Sequence, residues 1–94
     1  MLYMFYCVDK DGAAGVRAGN RAAHLAYLES LGGRLYAAGP LLSDDGAAMV
    51  GSLLVVDCAD RAAAEDFAAN DPYAKAGLFQ SVTIRPWRRV FPKD

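Results

Sequence analysis

Residues 2–8, LYMFYCV, and residues 16–31, VRAGNRAAHLAYLESL, decide the fold between them. The first stretch is rich in aromatic and β-favouring side chains. Both of its alternating sets are apolar: Leu2, Met4, Tyr6 and Val8 on one side, Tyr3, Phe5 and Cys7 on the other. Such a strand needs cover on both faces. In the second stretch Ala18, Ala22, Leu25, Leu28 and Leu31 recur at steps of three and four, the spacing of a helix, and Gly32-Gly33 supplies a stop. A buried strand feeding an amphipathic helix is therefore the first unit.

Working outward, residues 34–38 read as a short strand ended by Gly39-Pro40, and residues 49–57 as another. The turn-rich Ser43-Asp44-Asp45-Gly46 between them makes the pair a hairpin. Asp60 is placed to cap a second helix whose apolar stripe is Ala63, Ala64, Phe67 and Ala68 and which ends near Asn70. Asp71-Pro72 opens a further short turn that Gly77 closes, and residues 79–85 form the last strand. The order strand, helix, strand, strand, helix, strand is that of an α+β protein. It predicts a ferredoxin-like βαββαβ fold, a four-stranded antiparallel sheet with two helices on one face, in a single domain spanning residues 1–94. If both helices cover one face, the apolar residues on the other face of the first strand call for a second copy, so a homodimer closing face to face over the sheets is expected.

Ninety-four residues leave a thin stability margin, because a chain of this size buries only about 60 to 65% of its unfolded surface. That also favours help from a partner subunit. A formal net charge of -1 supplies no broad field for nucleic acid or anionic membrane, and no partnership with either is expected. Apolar runs such as residues 53–56 fall far below the roughly 20 residues that span a bilayer. The N-terminal stretch lacks a basic leader and an evident cleavage site, so the expected location is cytoplasmic. Cys7 and Cys58 are expected to be free thiols at opposite ends of the sheet, out of disulfide reach. The basic tail, Arg85 with Arg88 and Arg89, is expected to protect an edge or join a dimer contact.

At about 100° per residue, Arg17, Arg21, His24 and Leu28 fall within a wedge of about 60°, beside an apolar centre marked by Leu25. Two guanidiniums and the chain's one histidine thus share a border of the helix. Arginine binds carboxylate or phenolate oxygens in a fixed fork, and histidine moves protons near neutral pH. Together they describe a site for a small anionic ligand, although border positions are also where long basic chains ordinarily snorkel. A metal site is not expected, since a lone histidine without a cysteine pair gives too few ligands. Neither serine nor cysteine chemistry is indicated, because Ser30 and Ser43 lack a nucleophile-elbow setting and neither cysteine has a basic neighbour.

The predicted topology brings the start of helix one, the end of helix two and the end of strand two to one sheet edge. That places Asp71, the basic stripe and Gly39-Pro40 near one another. A carboxylate accepting the imidazole N–H would fix its tautomer, yet an aspartate before proline is also an ordinary helix cap, and one residue can serve both ends. Gly51-Ser52 is a weaker signal, a glycine in a strand meaning a bulge or close packing as readily as a ligand contact.

These residues resemble the YciI family (YCII-related domain) over essentially the whole chain. The matching elements are the opening strand through Asp9, Arg17, the run Arg21-Ala22-Ala23-His24-Leu25, Ala38-Gly39-Pro40, Gly51-Ser52, Asp71-Pro72-Tyr73 with Gly77, and Arg85-Pro86-Trp87. The resemblance implies a ferredoxin-like fold of the dimeric α+β barrel type and a histidine-aspartate active site, here His24 and Asp71. Arg17, Arg21, Gly39, Pro40, Ser52 and Tyr73 would bind the substrate, with no cofactor. A few relatives are similar to enzymes that eliminate chloride from chlorinated hydroquinones, and the wider superfamily includes lactone isomerases and cofactor-free oxygenases. Two departures bear on substrate preference: the short loop over residues 43–48, and Ala22 where proline is common before the histidine. The expectation is a cofactor-independent lyase or isomerase, dehydrochlorinase-like, acting on a small acidic or hydroxylated ring compound. Its alternative is a non-catalytic dimeric module, stress-related or anion-binding, that uses the same pocket.

Overall fold

The computed structural model describes residues 1–93. The elements run β1 (Leu2–Asp9), α1 (Ala14–Glu29), a 3-10 turn (Gly32–Arg34), β2 (Leu35–Leu42), β3 (Met49–Asp57), α2 (Arg61–Asn70), α3 (Pro72–Lys75) and β4 (Phe79–Pro86). They form one antiparallel sheet in the order β2-β3-β1-β4, the ferredoxin-like arrangement expected from the sequence. The two-sided apolar strand β1 lies in the interior of that sheet, with Phe5 in register between Leu54 of β3 and Ile84 of β4.

The two faces of β1 differ. Tyr3, Phe5 and Cys7 join Leu54, Val56 and Ile84 in a core closed by Leu28 of α1 and by Ala64 and Phe67 of α2. The Phe67 ring meets Phe5 edge-on and stacks on Tyr27, each at 5.2 Å between centroids. On the opposite face Tyr6 and Leu53 are register partners and remain 45% and 41% exposed. Alternation along the strands thus separates a helix-covered face from a bare one.

Three expectations need correction. β2 does not end at Gly39-Pro40 but runs to Leu42, pairing Gly39 with Leu53 and Pro40 with Ser52. The strand is at the sheet edge, where a proline's missing N–H is tolerated. α1 begins at Ala14 and ends at Glu29, two residues early at each end, and no side chain caps its N-terminus. The buried face of α1 is not centred on Leu25, which is 38% exposed; the residues it buries are Arg17, His24 and Leu28. Arg17 and His24 are therefore part of the packed face, because partners elsewhere in the chain satisfy them, whereas Arg21 stays exposed.

α2 is capped by Asp60, which accepts from the Ala63 amide, and α3 by Asp71, which accepts from the Tyr73 amide, both as the sequence predicts. Gly77 then takes φ 73°, a left-handed turn that closes α3 and returns the chain to β4. Gly51 is required for close approach: a Cβ there would collide with the Cys7 carbonyl oxygen of the neighbouring strand. Cys7 and Cys58 are both buried and free. Cys7 lies opposite Ser52, whereas the Cys58 amide bonds to the carbonyl of Met1, at the far end of β1. After β4, Trp87 packs on Tyr36 of β2 at 5.8 Å and Arg89 donates to the Tyr36 hydroxyl, so the tail reaches across to the other edge strand.

Candidate active site

Between α1 and the β2–β3 edge lies a cavity of about 210 Å³, lined by Arg17, Arg21 and His24 of α1, Gly39 and Pro40 of β2, Ser52 of β3 and Tyr73 of α3. Leu25, Leu28, Ala38 and Met49 supply its apolar part. Drug-sized ligands occupy cavities of about 300–1,000 Å³, so a volume near 210 Å³ suits a single ring.

One wall is built from α1 and α3. His24 and Asp71 are both buried, and the imidazole Nδ1 lies 2.9 Å from Asp71 Oδ1. A carboxylate oxygen accepts, so Nδ1 carries the hydrogen and Nε2 is left as the basic nitrogen. The same Oδ1 accepts from the Tyr73 amide at 2.9 Å, so the helix cap and the histidine partner are one atom rather than two ends of one side chain. The Tyr73 ring stacks on the imidazole at 4.0 Å and 16°, fixing the ring plane. Burial pushes the Tyr73 phenol above its ordinary value, with Arg17 and Arg21 pulling it partly back, so it stays protonated through the neutral range. Asp71 stands behind His24 and is not among the residues lining the cavity.

The other wall is built from β1, α1 and β3. Arg17 is 6% exposed and donates from Nε and Nη2 to the two oxygens of Asp9, at 2.7 and 2.9 Å, a bidentate fork. Nη2 also donates to Ser52 Oγ at 2.9 Å, and the guanidinium carbon lies 4.7 Å from the Tyr73 ring centroid. Burial pulls the Arg17 cation down, but the contacts with Asp9 and Tyr73 outweigh it and hold it above its usual value. Asp9 was not singled out from the sequence as a site residue. Its signal was positional: it is the last residue of β1 and sits eight positions before an arginine on the helix that returns over the strand.

All eight residues expected at the site are thus brought together, seven of them on the cavity and Asp71 behind it. Arg21 is the exposed cation of the lining, whereas Arg17 is buried and paired. Among the described residues no group of three or more His, Cys, Asp or Glu is placed to hold a metal ion, and no helix is long and apolar enough to cross a membrane.

A ferredoxin-like α+β domain with a buried histidine-aspartate pair facing a ring-sized cavity is the class that fold and site define. Within it the family is established: residues 1–88 match the YCII-related domain, and the chain belongs to that family. Protein YciI of Escherichia coli O6:H1 is 39% identical over 98 residues, covering 97% of this chain and 100% of that protein. An uncharacterized protein of Haemophilus influenzae is 34% identical over the same span. Among solved structures, 5-chloro-2-hydroxyhydroquinone dehydrochlorinase (TftG) of Burkholderia phenoliruptrix AC1100, in complex with 2,5-dihydroxybenzoquinone, superposes with a TM-score of 0.86. It is 38% identical, with 94% of each chain covered. A Bacteroides thetaiotaomicron protein described as an antibiotic biosynthesis monooxygenase matches at a TM-score of 0.58 and 13% identity, a likeness of fold alone.

Proposed function

We propose that this chain is a cofactor-independent lyase or isomerase of dehydrochlorinase type, acting on a small hydroxylated ring compound. The observation that carries the reading is the buried 2.9 Å contact between His24 Nδ1 and Asp71, which leaves Nε2 as the base of a residue lining the cavity. The likeness to a dehydrochlorinase supports the choice of ring compound.

His24 takes a proton from a ring hydroxyl and returns one to a ring carbon, and Asp71 steadies the imidazolium formed between the two steps. Arg21, which makes no ion pair among the described residues, faces the developing oxyanion. For a chlorinated hydroquinone, protonation of the chlorine-bearing carbon followed by loss of a hydroxyl proton expels chloride with its bonding pair. The balance is a quinone, one proton and one chloride, and no outside oxidant is needed.

The experiment is chloride release from chlorohydroxyhydroquinones, with a parallel screen of muconolactone-like compounds for isomerisation. Wild type is expected to turn over one class, and His24→Ala to lose about 10²- to 10⁴-fold. Activity surviving that substitution removes His24 from the mechanism. A ligand that stabilises the protein yet is recovered unchanged favours the anion-binding alternative.

The reading includes a homodimer. Tyr6 and Leu53 form part of a bare apolar face on the strands that also carry Asp9 and Ser52, and a second copy is its proposed cover. A monomer in light scattering at micromolar concentration would remove that part. Two free buried thiols agree with a cytoplasmic setting.

A further inference from the structure

Arg17 resembles a substrate-binding arginine by position, but its hydrogen bonds point elsewhere. Asp9 holds it through both Nε and Nη2, and each side chain of the pair is 7% exposed, so the guanidinium plane is fixed. With one Nη2 hydrogen on Asp9, the other is directed to Ser52 Oγ at 2.9 Å. Ser52 is 2% exposed and lines the cavity, and its backbone is engaged in the sheet. A hydroxyl oxygen that accepts from a cation has its own proton free to donate, and the cavity is where a partner for that proton can sit.

We propose that Asp9 is a positioning residue that locks Arg17 onto Ser52 and thereby turns the Ser52 hydroxyl into the cavity as a donor to a second ring oxygen of the ligand. This rests on the hydroxylated-ring reading and narrows it. The ligand carries one oxygen whose proton is exchanged with His24 and a second that accepts from Ser52. The Arg17 charge is already matched by Asp9, so it contributes direction, and the net positive charge facing the ligand comes from Arg21. A ring lacking the second oxygen leaves a buried hydroxyl unpaired, which disfavours it by about ten- to a hundredfold.

The test titrates the full chain with hydroquinone and with phenol, which lacks the second ring oxygen. Wild type is expected to prefer the first at least tenfold. Ser52→Ala and Asp9→Asn each abolish the preference, and the double variant is no worse than either single one, because both act on the same donor. A preference that survives Asp9→Asn, or losses that multiply in the double variant, overturns the proposal. Should Asp9→Asn fail to fold, Arg17→Lys decides in its place: an ammonium keeps the charge beside Asp9 but loses the rigid fork that aims one donor at Ser52, so the preference disappears if the proposal holds and persists if it does not. If wild type binds neither compound, the hydroxylated-ring reading fails alone. The positioning claim is then read by NMR from the Arg17 Nε hydrogen, which exchanges slowly in wild type and Ser52→Ala and rapidly in Asp9→Asn. Slow exchange persisting in Asp9→Asn contradicts it.

Discussion

Two walls of the same cavity each carry a buried carboxylate, and they differ in what the carboxylate holds. On the α3 side Asp71 holds an imidazole, which can gain and lose a proton; on the β1 side Asp9 holds a guanidinium, which cannot. Both contacts are under 3 Å and both carboxylates are buried at the side-chain level, so geometry alone does not distinguish them. The partner's chemistry does. Under the proposed function one wall moves a proton and the other aims hydrogen bonds at a ring held in the cavity.

The comparison predicts unequal costs when the carboxylates are removed. Asp9→Ala leaves an obligate cation buried without its partner, and unfolding in urea should show a loss of about 3–5 kcal/mol, the larger of the two effects. Arg17→Ala should cost a similar amount for the mirror-image reason. Asp71→Ala leaves an imidazole that can stay neutral, so the expected loss is about 2–3 kcal/mol, made up of one buried hydrogen bond and the α3 cap. Equal losses at Asp9 and Asp71 would mean that His24 is held as a permanent cation and would erase the distinction between the walls.

A fourth variant concerns Cys7, on β1 opposite Ser52. Burial first, then the charges of Asp71 and Asp9, push the Cys7 thiol up to about 12, with Arg17 opposing. A raised value means that the fold favours the protonated thiol. Its contribution is complete below the unfolded thiol value of about 9 and is lost as pH rises toward about 12. Urea unfolding from pH 8 to 11 should therefore show stability falling with pH, and Cys7→Ala should flatten part of that slope while changing its pH dependence little at neutrality. An unaltered slope would mean that burial does not hold the Cys7 thiol protonated in this range.

Much of this arrangement was legible in the chain because it is written in local patterns. The two-sided apolar run of β1, the caps Asp60 and Asp71 and the Pro72–Gly77 turn all appear where residue chemistry puts them. What escaped was non-local. Helical spacing puts Arg17 and His24 on a border because it sees only apolar neighbours, whereas Arg17 is buried against Asp9 and, 35 positions on, Ser52, and His24 against Asp71, 47 positions on. Gly39-Pro40 reads as a strand end because nothing local tells an edge strand, which tolerates proline, from an interior one. The single-oxygen sharing by His24 and the Tyr73 amide was likewise out of reach, since it depends on how α3 meets α1.

The central claim is that Asp71 fixes the tautomer of an imidazole lining the cavity, so that Nδ1 carries the hydrogen and Nε2 is bare. The chain has one histidine, so a nitrogen-15 NMR spectrum of the ring at a pH where it is neutral reads the tautomer without ambiguity. The account predicts a protonated Nδ1 and an unprotonated Nε2 in wild type, and a mixture of tautomers in Asp71→Ala. A wild-type ring protonated at Nε2, or a tautomer indifferent to Asp71, would contradict it.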